Sequence, residues 1–341
     1  MTGAEGDAGH APTIYDVARA AGVAPSTVSR AFARPGRVSF ETAQRIRAVA
    51  AELGYRSATV IHSTAPSTTP TSMIALVIAD ISNPFYFEII RGAETAAAAA
   101  GYTMLLANTQ ESDRREREAL ERAMSTVDGI VLTSSRMSDS AIRMMAKQKP
   151  VIVMNRAVSD VSSVVTDNPR GIRRVAEHLG MLGHELITYV AGPDASWANG
   201  MRWRGLREAA LELELSVRRI GPIEPTVRGG TRAAADWIRH PTSAVVAYND
   251  LIAIGFIRGV LAHGARVPDD VSVVGFDNTF AAELVTPALT TVTSPLYSLG
   301  VTAVNNLVAI VAGAKPRASE PLVLPTKLVV RDSTTRAQRS R

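Results

Sequence analysis

Cysteine is absent from the 341-residue chain. Disulfide bonds, thiol-based catalysis and cysteine-bound metal ions are therefore excluded. No apolar run is long enough to span a bilayer, and residues 1–12 lack the apolar stretch of a signal peptide. We expect a soluble, cytoplasmic protein that makes no membrane contact.

Enzyme signatures are missing as well. The sequence has no GxGxxG, P-loop, HExxH or GxSxG motif. Its six histidines are scattered without the spacing of metal ligands. We predict no catalytic residue, no metal site and no cofactor.

The composition is that of a globular protein with a basic end. Hydrophobic residues make up 46% of the chain, and the formal net charge is +5. Between His10 and His62, seven arginines stand against three acidic residues. Such a local excess permits DNA binding, and the length suits a small head attached to a larger core.

The segment Thr13–Arg30 (TIYDVARAAGVAPSTVSR) has the pattern of a helix–turn–helix. Thr13 can cap the first helix, with Asp16 in the reciprocal position three residues later. Gly22 ends that helix because glycine adopts the left-handed conformation easily. Pro25 suits the first turn of the second helix.

A third helix is predicted to begin after Ser39, with Thr42 in the capping-box position, and to end at Gly54. With this helix, the whole segment closely resembles the DNA-binding head of the lactose/galactose-repressor (LacI/GalR) family, and the resemblance continues to about Asp332. A three-helix packing module without a ligand is the alternative. It is disfavoured because the second helix has small polar residues and an arginine where a purely structural helix needs apolar ones.

The resemblance implies which residues of the head contact DNA. Arg30 can bond bidentately to guanine, an interaction worth roughly 1–3 kcal/mol of discrimination. For Ser39 and Thr42, helix capping is an equally good interpretation. The implied base contacts are Pro25, Ser26 and Arg30, and the implied phosphate contacts are Thr13, Tyr15, Thr27, Ser29, Ser39 and Thr42.

Two departures from the family pattern concern DNA binding. Ala24 stands where the family has a capping serine, which costs the helix about 1 kcal/mol. In the hinge, Ser57 replaces a proline and Thr64 replaces the leucine that wedges between base pairs in the minor groove. Either Val60 or Ile61 takes the place of that wedge, or the protein bends DNA less.

The remaining sequence predicts an α/β core. Seven apolar runs, from Ile74–Ala79 to Val271–Gly275, alternate with helical segments, which indicates parallel, doubly wound sheets. The charged run Glu111–Glu121 is interpreted as the solvated face of a helix capped by Ser112. The resemblance implies a two-lobed core of the periplasmic-binding-protein type I, with the chain crossing between lobes three times. The predicted organisation is a disordered arm at 1–11, a helix–turn–helix domain at 12–55, a hinge and linker at 56–72, a core at 73–332 and a tail at 333–341; lobe 1 is about 73–166 plus part of 290–332, and lobe 2 is about 167–289.

The family places its small-molecule effector between the lobes, at the carboxyl ends of the strands. An arginine, carboxylates and amides near aromatic rings suit a polyhydroxylated ligand, whose apolar face packs on a ring. Trp203 and Trp237 are interpreted as core residues, and Asp167 and Asp250 as ligand residues or simple helix caps. The implied effector-binding residues are Asn83, Phe85, Tyr86, Arg156, Asp167, Ser196, Trp197, Arg202, Asn249 and Asp277.

The sequence therefore predicts a ligand-responsive transcriptional repressor that binds a near-palindromic, double-stranded operator as a homodimer. Two heads are needed because one small head makes too few contacts for a specific site. The expected effector is a sugar or polyol, with a nucleoside, a purine or another small metabolite as the alternative. Alternative classes are a solute-binding protein and an enzyme on a binding-protein core, such as a sugar hydrolase.

Overall fold

The computed structural model describes residues 12–33, 38–53, 70–316 and 320–338. The chain divides into two compact units, Met1–Thr68 and Thr69–Arg341, which are called here the head and the core. The end of the predicted linker is part of the core: the Asp128 carboxylate accepts hydrogen bonds from the backbone amides of Thr71 and Ser72 at 2.9 Å each.

In the described part of the head, three helices pack around a small apolar centre. They are α1 (Ile14–Ala21), α2 (Pro25–Ala33) and α3 (Phe40–Glu52). Val17, Val28 and Ile46 are fully buried where the helices meet. Gly22 ends α1 with a φ of 65°, which confirms the predicted left-handed turn. These features are those of the predicted helix–turn–helix.

The core alternates strands and helices. Its first part contains β1 (Met73–Ile78), α4 (Phe85–Ala99), β2 (Thr103–Asn108), α5 (Asp113–Ala123), β3 (Gly129–Thr133), α6 (Asp139–Ala146), β4 (Val151–Met154) and β5 (Ser163–Thr166). Its second part contains α7 (Asn168–Met181), β6 (Leu186–Val190), α8 (Trp197–Glu212), β7 (Ser216–Ile220), α9 (Val227–Ile238), β8 (Ala244–Ala247), α10 (Asp250–Ala262), β9 (Ser272–Asp277), α11 (Ala281–Leu284) and β10 (Thr290–Thr293). The chain then adds α12 (Leu296–Val311), β11 (Leu322–Leu324) and β12 (Lys327–Val329).

The described strands of the core form two six-stranded sheets, one in each lobe. The order is β11-β5-β4-β3-β1-β2 in lobe 1 and β12-β10-β9-β8-β6-β7 in lobe 2. Neighbouring strands are parallel, except that β12 runs antiparallel to β10. The chain passes between lobes after β5, after β10 and after β11, as the resemblance implied.

A close contact between α4 and α12 holds α4, whose first turn lines the interlobe cleft. A Cβ added at Gly92 would lie 2.1 Å from the carbonyl oxygen of Tyr297, and one at Gly300 would lie 2.2 Å from that of Ile89. Only glycine allows such an approach of two helix backbones. The first turn of α4, which enters the cleft, is thereby anchored on lobe 1.

The beginning of the predicted tail is part of lobe 2. Ser333 is completely buried, and its amide donates to the carbonyl of Ala288 at 3.0 Å. His184 Nε2 lies 3.0 Å from the carbonyl oxygen of Thr335. Two of the three tryptophans lie in this lobe's core as expected: Trp237 is buried and donates to Thr242, and Trp203 stacks on Tyr189. No described helix is both long and apolar enough to cross a membrane.

Candidate effector cleft and DNA-reading helix

A small cavity of about 20 Å³ lies between the two lobes, at the carboxyl ends of their strands. This is room for about one water molecule, so the two walls are nearly in contact. The residues that line it on lobe 1, here called the lobe 1 wall, are Asn83, Phe85, Tyr86, Glu111, Ser134, Arg136 and Asn155; the lobe 2 wall consists of Ala198, Arg202, Pro225, Tyr248, Asn249 and Asp277.

Arg202 dominates the lobe 2 wall and is only 4% exposed. Its Nε donates to Asn168 Oδ1 at 2.8 Å, and its Nη2 donates to Asp277 Oδ1 at 3.2 Å. Its Nη1 donates to the carbonyl oxygen of Tyr248. The guanidinium carbon lies 3.5 Å from the centre of the Phe276 ring. Each nitrogen of this cation therefore has a protein partner, and a ring covers one face.

Asp277, the last residue of β9, is buried beside Arg202. Burial raises the pKa of its carboxyl group to about 7, although the Arg202 guanidinium acts in the opposite direction. One carboxylate oxygen faces Arg202, and no hydrogen bond to Oδ2 is found among the described residues. Oδ2 can therefore accept a hydrogen bond from a ligand in the cavity.

Asn249 and Asp250 have different roles. The side chain of Asn249 caps α10, accepting from the amide of Ile252 at 3.0 Å, and also reaches the cavity. Asp250 is not the cap, so that interpretation was wrong. Its carboxylate is buried and accepts from Thr279 N at 2.7 Å and from Thr291 Oγ1 at 2.6 Å. Burial raises its pKa to about 6.

The aromatic part of the cavity lies on lobe 1. Phe85 and Tyr86 open α4, and their rings meet edge to face with centroids 5.0 Å apart. Asn83 Oδ1 accepts a hydrogen bond from Phe85 N at 3.0 Å, which fixes the start of the helix. Burial raises the pKa of Tyr86 well above its usual value, so its hydroxyl stays protonated and can donate.

Sequence reasoning missed an ion pair on lobe 1. Arg136 Nε donates to Glu111 Oε2 at 2.7 Å, and Arg136 Nη2 lies 2.5 Å from the same oxygen. The side chains are only 8% and 26% exposed, respectively. Glu111 belongs to the charged run interpreted as solvated, but it precedes α5 and has a φ of 58°. The sequence feature that could have identified Glu111 is its position as an acidic residue shortly after the C-terminal end of β2.

The structure brings six of the ten expected effector residues to the cavity, and the other four do not line it. The Arg156 guanidinium donates to the carbonyl oxygens of Ser135 and Met137, behind the lobe 1 wall. Asp167 and Ser196 cap α7 and α8. Trp197 is half-buried at the start of α8.

The expected base-contacting residues of the head share one exposed face of α2. Pro25, Ser26 and Arg30 are exposed, while Val28 and Ala31 of the same helix are buried. Arg30 Nη2 lies 3.2 Å from Ser26 Oγ. The Arg30 side chain can therefore turn from its own helix to a base, and it loses only weak, exposed hydrogen bonds to Ser26.

The expected phosphate contacts are partly engaged in helix capping. The Asp16 carboxylate accepts from Thr13 N at 2.8 Å and from Thr13 Oγ1 at 2.6 Å. Ser39 Oγ accepts from Thr42 N at 3.3 Å, which confirms the capping interpretation for Ser39; the Thr42 hydroxyl accepts from Ser39 Oγ at 2.7 Å. Tyr15 and Ser29 are exposed, and Thr27 is half-buried. The expected minor-groove residues Val60, Ile61 and Thr64 lie outside the described residues.

Comparisons with known proteins agree with this architecture. Residues 13–57 match the model of the bacterial regulatory proteins of the lacI family, and residues 176–334 match a periplasmic binding protein-like domain. The chain is 35% identical to the HTH-type transcriptional regulator DegA of Bacillus subtilis, over 95% of this chain and 98% of that protein. It is 34% identical to the ribose operon repressor of Halalkalibacterium halodurans, over 96% and 98%. A solved complex of the transcriptional regulator CelR with cellobiose superposes with a TM-score of 0.70 at 31% identity, covering 94% of this chain and 99% of that one.

Proposed function

Because this chain belongs to the lacI family of bacterial regulatory proteins, we propose that it represses transcription as a homodimer and is controlled by a small hydroxyl-rich effector. It is a DNA-binding transcriptional regulator, as its relatives are. The observation that carries the effector proposal is the buried Arg202–Asp277 pair at the interlobe cavity. The protein acts in the cytoplasm, on operator DNA, and has no enzymatic activity.

The head supplies DNA recognition. Pro25, Ser26 and Arg30 are the proposed base contacts because they lie on the exposed face of a helix suited to the major groove. The proposed phosphate contacts are the hydroxyl groups of six residues. Three of these hydroxyls, those of Thr13, Ser39 and Thr42, also take part in bonds at helix starts; the other three are those of Tyr15, Thr27 and Ser29. Phosphate contacts set the register, whereas base contacts set the sequence.

A second copy of the chain is needed for specificity. A near-palindromic operator presents two half-sites, and one small head contacts only one of them. Strand β2 is the outermost strand of its sheet, and its Leu105 and Leu106 are exposed. An exposed apolar edge strand is normally covered, and we propose that the partner subunit covers it.

The effector is a sugar or a related polyol. A buried arginine and carboxylate are costly to desolvate unless hydrogen bonds satisfy them. Hydroxyl groups donate to Asp277 Oδ2 and to Asn249, and the rings of Phe85 and Tyr248 can cover an apolar face of the ligand. The ribose and cellobiose in the names of the relatives support the same class. Because the cavity is small, the lobes must separate to admit the ligand, which then changes the populations of open and closed forms.

The test is operator binding with and without effector. The operator is the palindrome upstream of the gene or its neighbours, and candidate sugars are first ranked by thermal shift. Arg30→Ala should weaken specific binding by about 5- to 150-fold while salt-sensitive binding to a scrambled duplex survives. Operator affinity that is the same for both proteins would contradict the assigned role of Arg30. If purines or nucleosides change operator binding and sugars do not, the effector class is wrong and the repressor function stands.

A further inference from the structure

We propose that Arg136 and Glu111 determine effector specificity from lobe 1, so that an ion pair contacts the ligand on each side and the ligand is a neutral molecule with hydroxyls at both ends. This inference rests on the proposed function, since it concerns the same cleft. It adds two residues that the sequence analysis did not assign to the cleft.

The pair is built into the cavity. Both side chains line it; Glu111 Oε2 accepts from Arg136 Nε at 2.7 Å, and Arg136 Nη2 lies 2.5 Å from the same oxygen. An exposed ion pair contributes little to stability, but a desolvated one is specific in its geometry. This pair is largely desolvated and faces the ligand space.

Two other contacts fix the loop that carries Arg136. The buried Glu116 carboxylate accepts from the backbone amide of Arg136 at 2.9 Å. Arg156 donates to the carbonyl oxygens on either side, those of Ser135 at 3.2 Å and Met137 at 2.6 Å. Arg156 is therefore a positioning residue: it holds the backbone of the loop rather than the ligand. The side chain of Arg136 is therefore presented to the cavity by a loop whose backbone is held by three hydrogen bonds.

Both residues retain unused hydrogen-bonding atoms. Within the described residues, Arg136 Nη1 and Glu111 Oε1 take part in no hydrogen bond. The corresponding pair on lobe 2 retains Asp277 Oδ2. Among these atoms the cavity thus offers one unused donor nitrogen, Arg136 Nη1, and two unused carboxylate oxygens, one on each wall. A hydroxyl group matches this set because it both donates and accepts.

The charges of the two pairs exclude an anionic ligand. Arg136 is neutralised by Glu111, and Arg202 is neutralised by Asp277 once the pH exceeds the raised pKa of that carboxyl group, about 7. An added carboxylate or phosphate would meet two carboxylates in a desolvated space without an unpaired cation. Like charges brought together in such a site are strongly unfavourable. A neutral sugar keeps both pairs intact.

The experiment compares matched neutral and acidic sugars by calorimetry on the full-length protein. The panel is ribose, cellobiose, glucose with glucuronate, and galactose with galacturonate. We expect the tightest ligand to be neutral. Glu111→Gln and Arg136→Gln should each weaken its binding by about 30-fold or more, because each leaves the other charge buried without its partner. Glu111→Gln should also shift the acid-to-neutral affinity ratio at least tenfold toward the acid, a change that general damage to the fold would not produce.

The matched control is Glu118→Gln, which breaks the exposed Arg114–Glu118 pair on α5 and should change affinity less than about twofold. If an acidic sugar binds the natural protein more tightly than its neutral counterpart, the proposal is overturned. It is also overturned if a sugar binds and Arg202→Ala abolishes binding, while the two lobe 1 variants bind as the natural protein does; the proposed function then survives. If no member of the panel binds the natural protein, the sugar class of the proposed function falls together with this inference.

Discussion

The two walls of the cleft come from lobes with six-stranded sheets of the same strand order, yet their arginines have different surroundings. Arg202 uses all three nitrogens on partners within lobe 2 and lies against the Phe276 ring. Among the described residues the Arg136 side chain bonds only to Glu111, which leaves its Nη1 without a protein partner there. The lobe 2 wall is therefore preorganised, whereas the lobe 1 wall completes its hydrogen bonding only with a ligand.

This difference assigns different contributions to the two walls. An arginine with a bond at each nitrogen presents its carboxylate partner in one fixed orientation, which favours affinity because little ordering is needed on binding. An incompletely bonded pair discriminates between ligands, because a ligand without the matching hydroxyl leaves a buried donor or acceptor unpaired. Affinity should depend more on lobe 2, and selectivity more on lobe 1.

The largest effect expected from this comparison is on the lobe 2 wall. Arg202→Ala should weaken effector binding by at least about 100-fold, because it removes the partner of the Asp277 carboxylate, of Asn168 Oδ1 and of the Tyr248 carbonyl oxygen. Asp277→Ala should have a similar effect. Operator binding without effector should persist in both. The measurement is effector-dependent release or retention of operator in a gel-shift titration.

Arg204→Ala is the control for that prediction, since Arg204 is exposed on the same helix. It should respond to effector as the natural protein does. A normal response by both Arg202→Ala and Asp277→Ala would place the effector site elsewhere.

The head and the cleft were not equally predictable from sequence. The helix–turn–helix is contiguous, so caps, turn glycine and apolar stripe all lie within eighteen residues and can be recognised together. On lobe 2, Asn249 comes just after a strongly apolar strand and Asp277 ends another, which makes their position at strand ends evident. Their mutual distances could not be derived, because they depend on how the chain returns between lobes.

The lobe 1 wall shows where sequence reasoning failed. Glu111 is part of a run of charges, and such runs are usually solvated. Its burial depends on the positive φ at Gln110 and Glu111, which turns the chain before α5. Arg136 has no local signal, whereas Arg156, which the resemblance implied as a ligand residue, bonds to the loop that carries Arg136. Strands β5, β7 and β10–β12 were also missed as strands, because they are short or, in β7, carry arginines on an edge.

A second, smaller effect tests the preorganised wall by its pH dependence. Asp250, behind Asp277, has a pKa raised by burial to about 6, from 3.8 in the unfolded chain. Asp250 therefore keeps its proton to a higher pH in the folded protein than in the unfolded chain. This preference stabilises the fold fully below pH 4, and the stabilisation is lost as the pH rises through about 6. Two pKa units correspond to about 3 kcal/mol. The Tm of the natural protein minus that of Asp250→Asn should fall between pH 4.5 and pH 7.5, by a few degrees.

Asp270→Asn supplies a control of opposite sign. The bond to the exposed Arg266 holds the pKa of Asp270 below its usual value, so its contribution is present at high pH and lost in acid. The Tm of the natural protein minus that of Asp270→Asn should rise, or stay flat, between pH 4.5 and pH 7.5. A difference for Asp250→Asn that rises with pH would show that Asp250 is buried as a stabilised carboxylate.

The smallest expected effect concerns the contact that joins the two lobes outside the cavity. Phe87 on α4 and Phe280 before α11 stack with centroids 6.1 Å apart and planes inclined by 19°, although the residues are 40% and 59% exposed. A stacked pair contributes about 0.5–1.5 kcal/mol beyond its buried area, and the pair exists only when the lobes are close. Replacing either ring should therefore favour separation of the two lobes and weaken effector binding by about 3- to 10-fold.

The measurement is a double-mutant cycle of Phe87→Leu and Phe280→Leu in calorimetric titrations. The control is Leu211→Ala, which changes an exposed residue of α8. The second substitution should add little once the first is present, because one ring cannot stack alone. Fully additive losses would mean that the two rings act separately, and that the ion pairs of the two walls bring the lobes together without this contact.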